Sequence, residues 1–162
     1  MDNNIFEVFT DGSCNTKLNI GAWAAIIINN DTIKTISDYA LETTNNRMEL
    51  TAIIKAVEYI ETNFENIEKI DLYSDSQYVV NLPEREKKFV ENDFLTKKGE
   101  YIQNVDLVKK ILDLYHKHNI NFEKVKAHQK KTEEKNYNID VDKLSRKIVR
   151  EFVRKNNFED EK

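Results

Sequence analysis

Four carboxylates lie where predicted secondary-structure elements begin or end, and together they could bind metal ions. Asp11 and Asp75 each follow a short apolar run, and Gly12-Ser13 after the first is predicted to be a turn. Glu49 and Asp142 are predicted to lie in the first turns of two amphipathic helices. Oxygen ligands without His or Cys favour Mg²⁺ or Mn²⁺ over zinc. Two such ions on an acidic cluster are the usual apparatus of in-line phosphoryl transfer.

Each of these carboxylates also has an ordinary explanation. Asp-Gly is a common turn pair, so Asp11 taken alone favours a solvated turn. Glu49 and Asp142 taken singly could be acids that a helix dipole stabilises. The metal-site hypothesis depends on their convergence, because sites in open α/β sheets form beyond the carboxyl ends of strands. Charges about 5 Å apart there would repel by roughly 3 kcal/mol at an effective dielectric near 20, so protons or cations must neutralise them.

The elements that must position the four residues predict an α/β fold. Apolar and polar residues alternate before Asp11, a polar loop leads to an apolar run over residues 21–28, and a short turn leads on into residues 32–41, which is typical of an antiparallel meander. A helix with Thr43-Thr44-Asn45-Asn46 at its start then leads to a strand over residues 67–74. Such a crossover predicts parallel pairing and hence a mixed sheet.

Five more elements are predicted in the second half of the chain. Residues 84–100 carry balanced charges and are predicted to form a protruding helix and loop, after a short helix that Pro83 ends. A helical stripe, a last strand over residues 120–125 and a lysine-rich loop over residues 126–138 follow. The final helix has an apolar stripe made by Val141, Leu144, Ile148, Phe152 and Val153.

Length and composition predict one compact unit. The 162 residues fit a single domain over residues 1–162, with a core over about 5–156 and a frayed acidic tail at 157–162. Cys14 is the only cysteine, so no intrachain disulfide can form. No apolar run approaches the ~20 residues that span a bilayer. We expect a soluble, cytoplasmic monomer that does not enter a membrane and needs no small-molecule cofactor.

The charge is unevenly distributed along the chain. The formal net charge is −4, but residues 124–155 carry +6 and the remainder −10. The overall charge disfavours a general polyanion binder, so any contact with nucleic acid must use a local basic patch.

Five segments, in order, resemble the type 1 ribonuclease H family over about residues 5–150. They are Thr10-Asp11-Gly12-Ser13-Cys14, Thr43-Thr44-Asn45-Asn46-Arg47-Met48-Glu49-Leu50, Tyr73-Ser74-Asp75-Ser76-Gln77-Tyr78-Val79, Asn104-Val105-Asp106-Leu107 and Asp142-Lys143-Leu144-Ser145-Arg146. The resemblance implies a ribonuclease H-like fold, with a five-stranded sheet in the order 3-2-1-4-5. It also implies an endonuclease that hydrolyses the RNA strand of RNA/DNA hybrids with two Mg²⁺ ions, for which Mn²⁺ could substitute, leaving 5′-phosphate and 3′-hydroxyl ends.

The same resemblance implies a role for each site residue. Asp11, Glu49, Asp75 and Asp142 match the four metal ligands, with Asp11 bridging both ions, and His128 matches a histidine that assists product release or proton transfer. The implied substrate contacts are Asn45, Asn46 and Gln77 in the minor groove, Cys14 and Asn15 on the backbone, Thr44 at a DNA-strand phosphate, and Asn138 at the family's asparagine position. Arg47 could be either a phosphate contact or a structural ion-pair partner.

Three segments depart from the family pattern. The loop over residues 15–20 lacks the usual Gly and Pro, and the interval from His128 to Asp142 is longer than in the family. Residues 84–100 lack the tryptophans and net positive charge of the family's basic protrusion. We expect this segment to contribute weaker hybrid affinity and Phe89 and Phe94 to pack together instead.

Other functions remain open at this point. A catalytically silent module that binds hybrid or double-stranded RNA could keep the fold, but binding alone would not require four clustered acids. An excised reverse-transcriptase domain would have the same chemistry and different partners. A Holliday-junction resolvase would share the fold, but the Asn-Asn-Arg-Met-Glu and Asp-Ser-Gln-Tyr segments favour the hybrid enzyme.

Overall fold

A five-stranded mixed sheet organises the protein. The computed structural model describes residues 4–125 and 136–156. The strands are β1 (Asn4–Asn15), β2 (Ile20–Asn29), β3 (Thr32–Ala40), β4 (Ile67–Ser74) and β5 (Ile120–Lys124). Their order in the sheet is β3-β2-β1-β4-β5, with β1, β2 and β3 antiparallel and with β4 parallel to both β1 and β5. The predicted α/β class and the order 3-2-1-4-5 are confirmed.

Helices cover both faces of this sheet. They are α1 (Asn45–Asn63), α2 (Gln77–Val80), α3 (Leu82–Glu91), α4 (Val105–Lys117) and α5 (Tyr137–Lys155). One face packs against α1 and α4 in the main core, and the other packs against α5. Among residues 4–125 and 136–156, no helix is long and apolar enough to cross a membrane.

Strand β2 shows why one strand reads as a continuous apolar run. It lies between β1 and β3, and helices cover both of its faces, so nine of its ten residues are buried. Ala25 and Ile27 belong to the core on the α1 side, whereas Ala22 packs with Val149 of α5. A strand that is buried on both faces has no polar positions, so its sequence does not alternate.

Strand β1 is longer than predicted, and the turn predicted at Gly12-Ser13 is wrong. Residues 11–15 continue the antiparallel ladder, from Asp11 opposite Ala24 to Asn15 opposite Ile20. The chain reverses only after Asn15, whose Oδ1 accepts hydrogen bonds from the backbone N–H groups of Lys17 and Leu18, both at 3.1 Å. The parallel ladder with β4 ends earlier, so Asp11 still lies beyond the carboxyl-end boundary of that pairing.

Two helices begin earlier than predicted, because the capping residues precede the apolar stripes. Thr44 caps α1 through its Oγ1, which accepts from Arg47 N–H at 3.2 Å. Asn136 caps α5 in the same way. Glu49 and Asp142 therefore lie in the second turns of their helices and not in the first.

The segment after β4 also differs from its prediction at one point. The short helix α2 ends at Val80, and Pro83 lies in the first turn of α3 instead of ending the preceding helix. Proline suits this position because the first helical N–H groups have no partner within the helix. The predicted packing of Phe89 and Phe94 is confirmed, with stacked rings whose centroids are 5.9 Å apart.

Turns in this chain use asparagine where many proteins use glycine. Seven residues other than glycine have positive φ within the described ranges, and four of them are asparagines: Asn19, Asn30, Asn66 and Asn104. The sequence has only three glycines, of which Gly99 has a positive φ.

Gly12 is required for space, because α1 rests directly on the backbone of β1. A Cβ at Gly12 would lie 2.5 Å from the backbone N of Glu49, whereas one at Gly21 would meet the side-chain atoms Thr43 Cγ2 and Met48 Cγ first, at 2.6 and 2.7 Å. The backbone of α1 cannot move away from an added Cβ as easily as the end of a flexible side chain can.

We therefore expect Gly12→Ala to lower the free energy of unfolding by about 1–3 kcal/mol through overpacking, and Gly21→Ala to lower it less. Urea unfolding of the two variants would test this comparison. Equal losses would mean that α1 adjusts freely over β1.

Candidate active site

Three carboxylates from three different elements meet at one edge of the sheet. Carboxylate oxygens of Asp11, Glu49 and Asp75 all lie within 4.8 Å of one another. They line a cavity of about 470 Å³ that Asp142 also lines. The predicted convergence of the four acids is therefore what the structure shows, with Asp142 outside the tight group of three.

The backbone fixes each of these acids. Asp11 is 3% exposed and its Oδ1 accepts from Gly12 N–H at 2.9 Å. Asp75 follows the last residue of β4, where Ser74 Oγ accepts from Ser76 N–H at 3.1 Å and Ser76 in turn caps α2. The capped start of α1 places Glu49 over Gly12.

Burial and mutual repulsion raise the pKa values of the carboxyl groups in the cluster. Burial, followed by the charge of Asp75, raises the pKa of Asp11 to about 7. Burial, followed by the charge of Asp11, raises the pKa of Glu49 to about 10. Glu49 therefore holds a proton at neutral pH and shares it in a hydrogen bond with Asp11. Strongly raised pKa values from burial and neighbouring charge are characteristic of functional sites.

Asp142 differs from the other three acids because it has a cationic partner on its own helix. Arg146 Nε donates to Asp142 Oδ1 at 3.0 Å, one turn along α5. Asp142 is also hydrogen-bonded to Asp11, which contributes to the raised pKa of Asp11. One oxygen of Asp142 is thus oriented by Arg146, and the carboxylate bridges α5 to the cluster.

The residues predicted to contact substrate lie in several environments. Cys14, Asn15 and Asn45 line the same cavity as the acids. Asn46 lines a smaller cavity of about 190 Å³ with Tyr78 and Arg85.

Three further predicted substrate contacts do not line the cavity that holds the acids. Thr44 is exposed and its hydroxyl caps α1. Gln77 is exposed and donates to Asn81 Oδ1 at 2.7 Å. Asn138 lies inside α5 and is 4% exposed, with a buried Oδ1 that has no hydrogen-bond partner among residues 4–125 and 136–156. His128 lies outside the described residues.

Arg47, which the sequence left ambiguous, forms a structural ion pair. Its guanidinium donates to both carboxylate oxygens of Asp106 at 3.2 and 3.0 Å, and also to Asn104 Oδ1 at 3.2 Å. Arg47 thereby connects the start of α1 to the start of α4. A two-pronged contact of this kind uses the planar guanidinium in a way that lysine could not.

Two arginines in the cavity were missed from the sequence. Arg146 and Arg150 both line it, on the α5 side. They follow Asp142 at intervals of four residues, so all three project from one side of the helix. The four-residue spacing was visible in the sequence. It indicates a functional role for the two arginines only once the structure shows that this side of α5 faces the cavity.

The acids present fit divalent cations. The donor set within the tight group consists of carboxylate oxygens alone, which suits Mg²⁺ or Mn²⁺. Glu49 Oε2 is buried and has no hydrogen-bond partner in the described part of the chain, which leaves a ligand atom available in the cluster.

Comparison with known proteins agrees with the fold. The RNase H family model matches residues 3–150. A ribonuclease H of Thermoanaerobacter sp. (strain X514) is 35% identical over 160 residues, covering 96% of this chain and 98% of that protein. A ribonuclease H of Chlorobium phaeovibrioides is 37% identical over 145 residues, covering 88% and 94%.

A solved structure shows the same fold at lower identity. The crystal structure of LC9-RNase H1, a type 1 RNase H with the type 2 active-site motif, superimposes with a TM-score of 0.76 at 19% identity, covering 92% of this chain and 74% of that one.

A mixed sheet in this order is the ribonuclease H-like fold, and in this chain an acidic cluster lies at one edge of it. The chain belongs to the RNase H family. Membership makes it a ribonuclease H enzyme and implies endonucleolytic cleavage of RNA in RNA/DNA hybrids. The family depends on divalent metal ions.

The raised pKa values predict how stability depends on pH without metal. A carboxyl whose pKa rises on folding binds a proton that the unfolded chain has released, so stability falls as pH increases from about 4 through the folded value. The folded values of about 7 for Asp11 and about 10 for Glu49 place this fall between pH 4 and 10.

In EDTA, we expect the melting temperature of the wild-type protein to fall between pH 5 and 9, and Glu49→Gln to show a smaller fall. Glu84→Gln removes an exposed carboxylate outside the cavity and serves as the control. If the melting temperatures of the wild type and Glu49→Gln fell equally with pH, the assignment of the proton to the cluster would be contradicted.

Proposed function

We propose that this chain hydrolyses the RNA strand of RNA/DNA hybrids with two Mg²⁺ ions, leaving 5′-phosphate and 3′-hydroxyl ends. The observation that carries the proposal is the meeting of Asp11, Glu49 and Asp75 within 4.8 Å, in a cavity that Asp142 also lines. Acids collected at this density are unfavourable for folding, and binding of nucleic acid alone would not require them.

The four acids divide between two ion positions in this proposal. Asp11 lies centrally, in contact with both Glu49 and Asp142, and would hold both ions. Glu49 and Asp75 would complete the position on the leaving-group side, and Asp142 the position on the nucleophile side. When bound, the two ions activate the attacking water and stabilise the leaving oxygen.

The protein prepares this chemistry with its own groups. Glu49 must release the proton that it shares with Asp11, so loading competes with protonation and improves as pH rises. Gly12 N–H keeps one oxygen of Asp11 oriented, and Arg146 does the same for Asp142. The rigid start of α1 then fixes the distance between Glu49 and the strand.

We assign discrimination of RNA from DNA to exposed residues at the starts of α1 and α2. Asn45, Asn46 and Gln77 would read bases and 2′-hydroxyl groups in the minor groove of the hybrid. Cys14 and Asn15, which line the cavity, would approach the backbone, and Thr44 a DNA-strand phosphate. We further propose that Asn138 keeps its family position and that His128 assists product release or proton transfer.

One copy of the chain supplies all four acids, so the proposed active form is a monomer with a single domain over residues 1–162. Mg²⁺ is the proposed ion, and Mn²⁺ would substitute because it accepts the same oxygen ligands.

A cleavage assay tests the function directly. We expect a hybrid with labelled RNA to be cut with Mg²⁺ or Mn²⁺ and to survive in EDTA. Asp11→Asn should lower the rate by about 10³-fold or more, because metal ions supply several kcal/mol of transition-state stabilisation. Asp38→Asn changes an exposed acid of β3 and should leave the rate unchanged.

The RNA fragments should accept a new label at the 5′ end only after phosphatase treatment. Wild-type protein that binds the hybrid and leaves it whole with both metals would favour the silent binding module instead.

The segment over residues 84–100 supports an additional contact with the hybrid. Its charges balance in sequence but separate in space, since Arg85, Lys88 and Lys97 line a cavity of about 490 Å³ to which no acid among the described residues contributes. Phe89 lies beneath Arg85, whose guanidinium carbon is 4.7 Å from the ring centroid. We propose that these cations contact the phosphate backbone.

We expect Lys88→Ala with Lys97→Ala to raise the Kd for the hybrid about three- to fivefold and to reduce its salt dependence. Lys87→Ala with Lys98→Ala, which removes the same two charges from exposed positions outside that cavity, is the matched control. An unchanged Kd would mean that the segment contributes nothing, as its net charge alone predicts.

A further inference from the structure

The cavity that holds the acids is lined on its α5 side by two cations. Arg146 and Arg150 lie one and two turns beyond Asp142, and Val149 lies between them in the lining. Arg146 has an ion-pair partner in Asp142, and its side chain is 48% exposed. Arg150 is exposed, and no hydrogen bond or ion pair joins it to the parts of the chain at 4–125 and 136–156.

The surroundings of Arg150 on its own helix do not stabilise its charge. Residues three and four positions away on either side are Lys147, Arg146, Val153 and Arg154, so the nearest charged neighbours on the helix surface are cations. Like charges at this spacing destabilise a helix slightly. By contrast, the adjacent Lys147 faces Glu151 at 3.9 Å.

The net charge of the metal-loaded site indicates a role for Arg150. If the proposed function is right, two divalent cations offset four carboxylates, and the loaded cluster has no net charge with which to attract a polyanion. Arg146 and Arg150 would then supply the positive charge of the cavity. Arginine also matches the geometry of a phosphate with two parallel N–H groups.

We infer that Arg150, supported by Arg146, forms a subsite for a backbone phosphate of the RNA strand within about four nucleotides of the scissile phosphate. The inference rests on the proposed function for the identity of the strand. Arg150 lies at most about 12 Å along the helix axis from Asp142, and helical side chains lean back toward the N-terminus. One strand of a duplex carries a charge about every 3.4 Å along its axis, so the contact lies within about four nucleotides of the cut.

Steady-state kinetics on the hybrid distinguish this positioning role from a role in chemistry. We expect Arg150→Ala to raise KM about three- to tenfold with kcat within about twofold of wild type, and to reduce the slope of log KM against log salt by about 1. Arg150→Lys should recover part of the loss. Arg154→Ala, which removes the same charge one turn further along α5 and outside the cavity, is the matched control.

Neutral phosphate analogues locate the contact. A set of hybrids, each with one methylphosphonate within four nucleotides of the cleavage site on the RNA strand, should contain one member for which Arg150→Ala causes no further loss. Equal effects of Arg150→Ala and Arg154→Ala, or a loss by Arg150→Ala that persists for every member of the set, would overturn the subsite.

A binding measurement separates this inference from the proposed function. In the Asp11→Asn background, fluorescence anisotropy should show the same three- to tenfold increase in Kd for Arg150→Ala, without any cleavage. Failure of the wild-type protein to cut the hybrid would refute the proposed function alone, whereas an unchanged Kd in this background would refute the phosphate subsite.

Discussion

The repulsion among buried carboxylates is the constraint on which the rest of this structure depends. Asp11 and Glu49 can lie beside Asp75 only because a proton, or cations, neutralise part of their charge. Holding them there requires a stiff frame. Three features hold Asp11 and Glu49 in place. They are the continuous ladder of β1, the absence of a side chain at Gly12 and the capped start of α1.

Sequence reasoning succeeded where a local pattern and a topological rule agreed. The meander, the crossover and the convergence of the acids all followed from periodicity and strand ends. The turn at Gly12-Ser13 failed because glycine has two uses: α1 needs its lack of a side chain, whereas the pattern suggested its flexibility. The predicted starts of α1 and α5 were wrong because several polar residues precede each apolar stripe. Only the hydrogen bonds in the structure identify Thr44 and Asn136 as the capping residues.

Helix α5 shows how one element can serve packing and chemistry together. Its buried row of Val141, Ser145, Val149 and Val153 lies against the sheet, where alanines of β2 leave room for it. The adjacent row carries Asp142, Arg146 and Arg150 into the cavity. The sequence contains both rows, but the side of α5 that faces the acids is set by tertiary packing, which is why the two arginines carried no signal on their own.

The asparagines at positive φ affect how this protein would age. Asparagine at these turns restricts the unfolded chain more than glycine would, but it is also more strained than glycine at positive φ in the folded state. Asparagine is, however, among the residues that degrade chemically with heat. Damage at Asn19, Asn30, Asn66 or Asn104 would alter a reversal that the fold needs. Covalent damage at these turns is therefore a route to loss of the fold that is distinct from unfolding of the core.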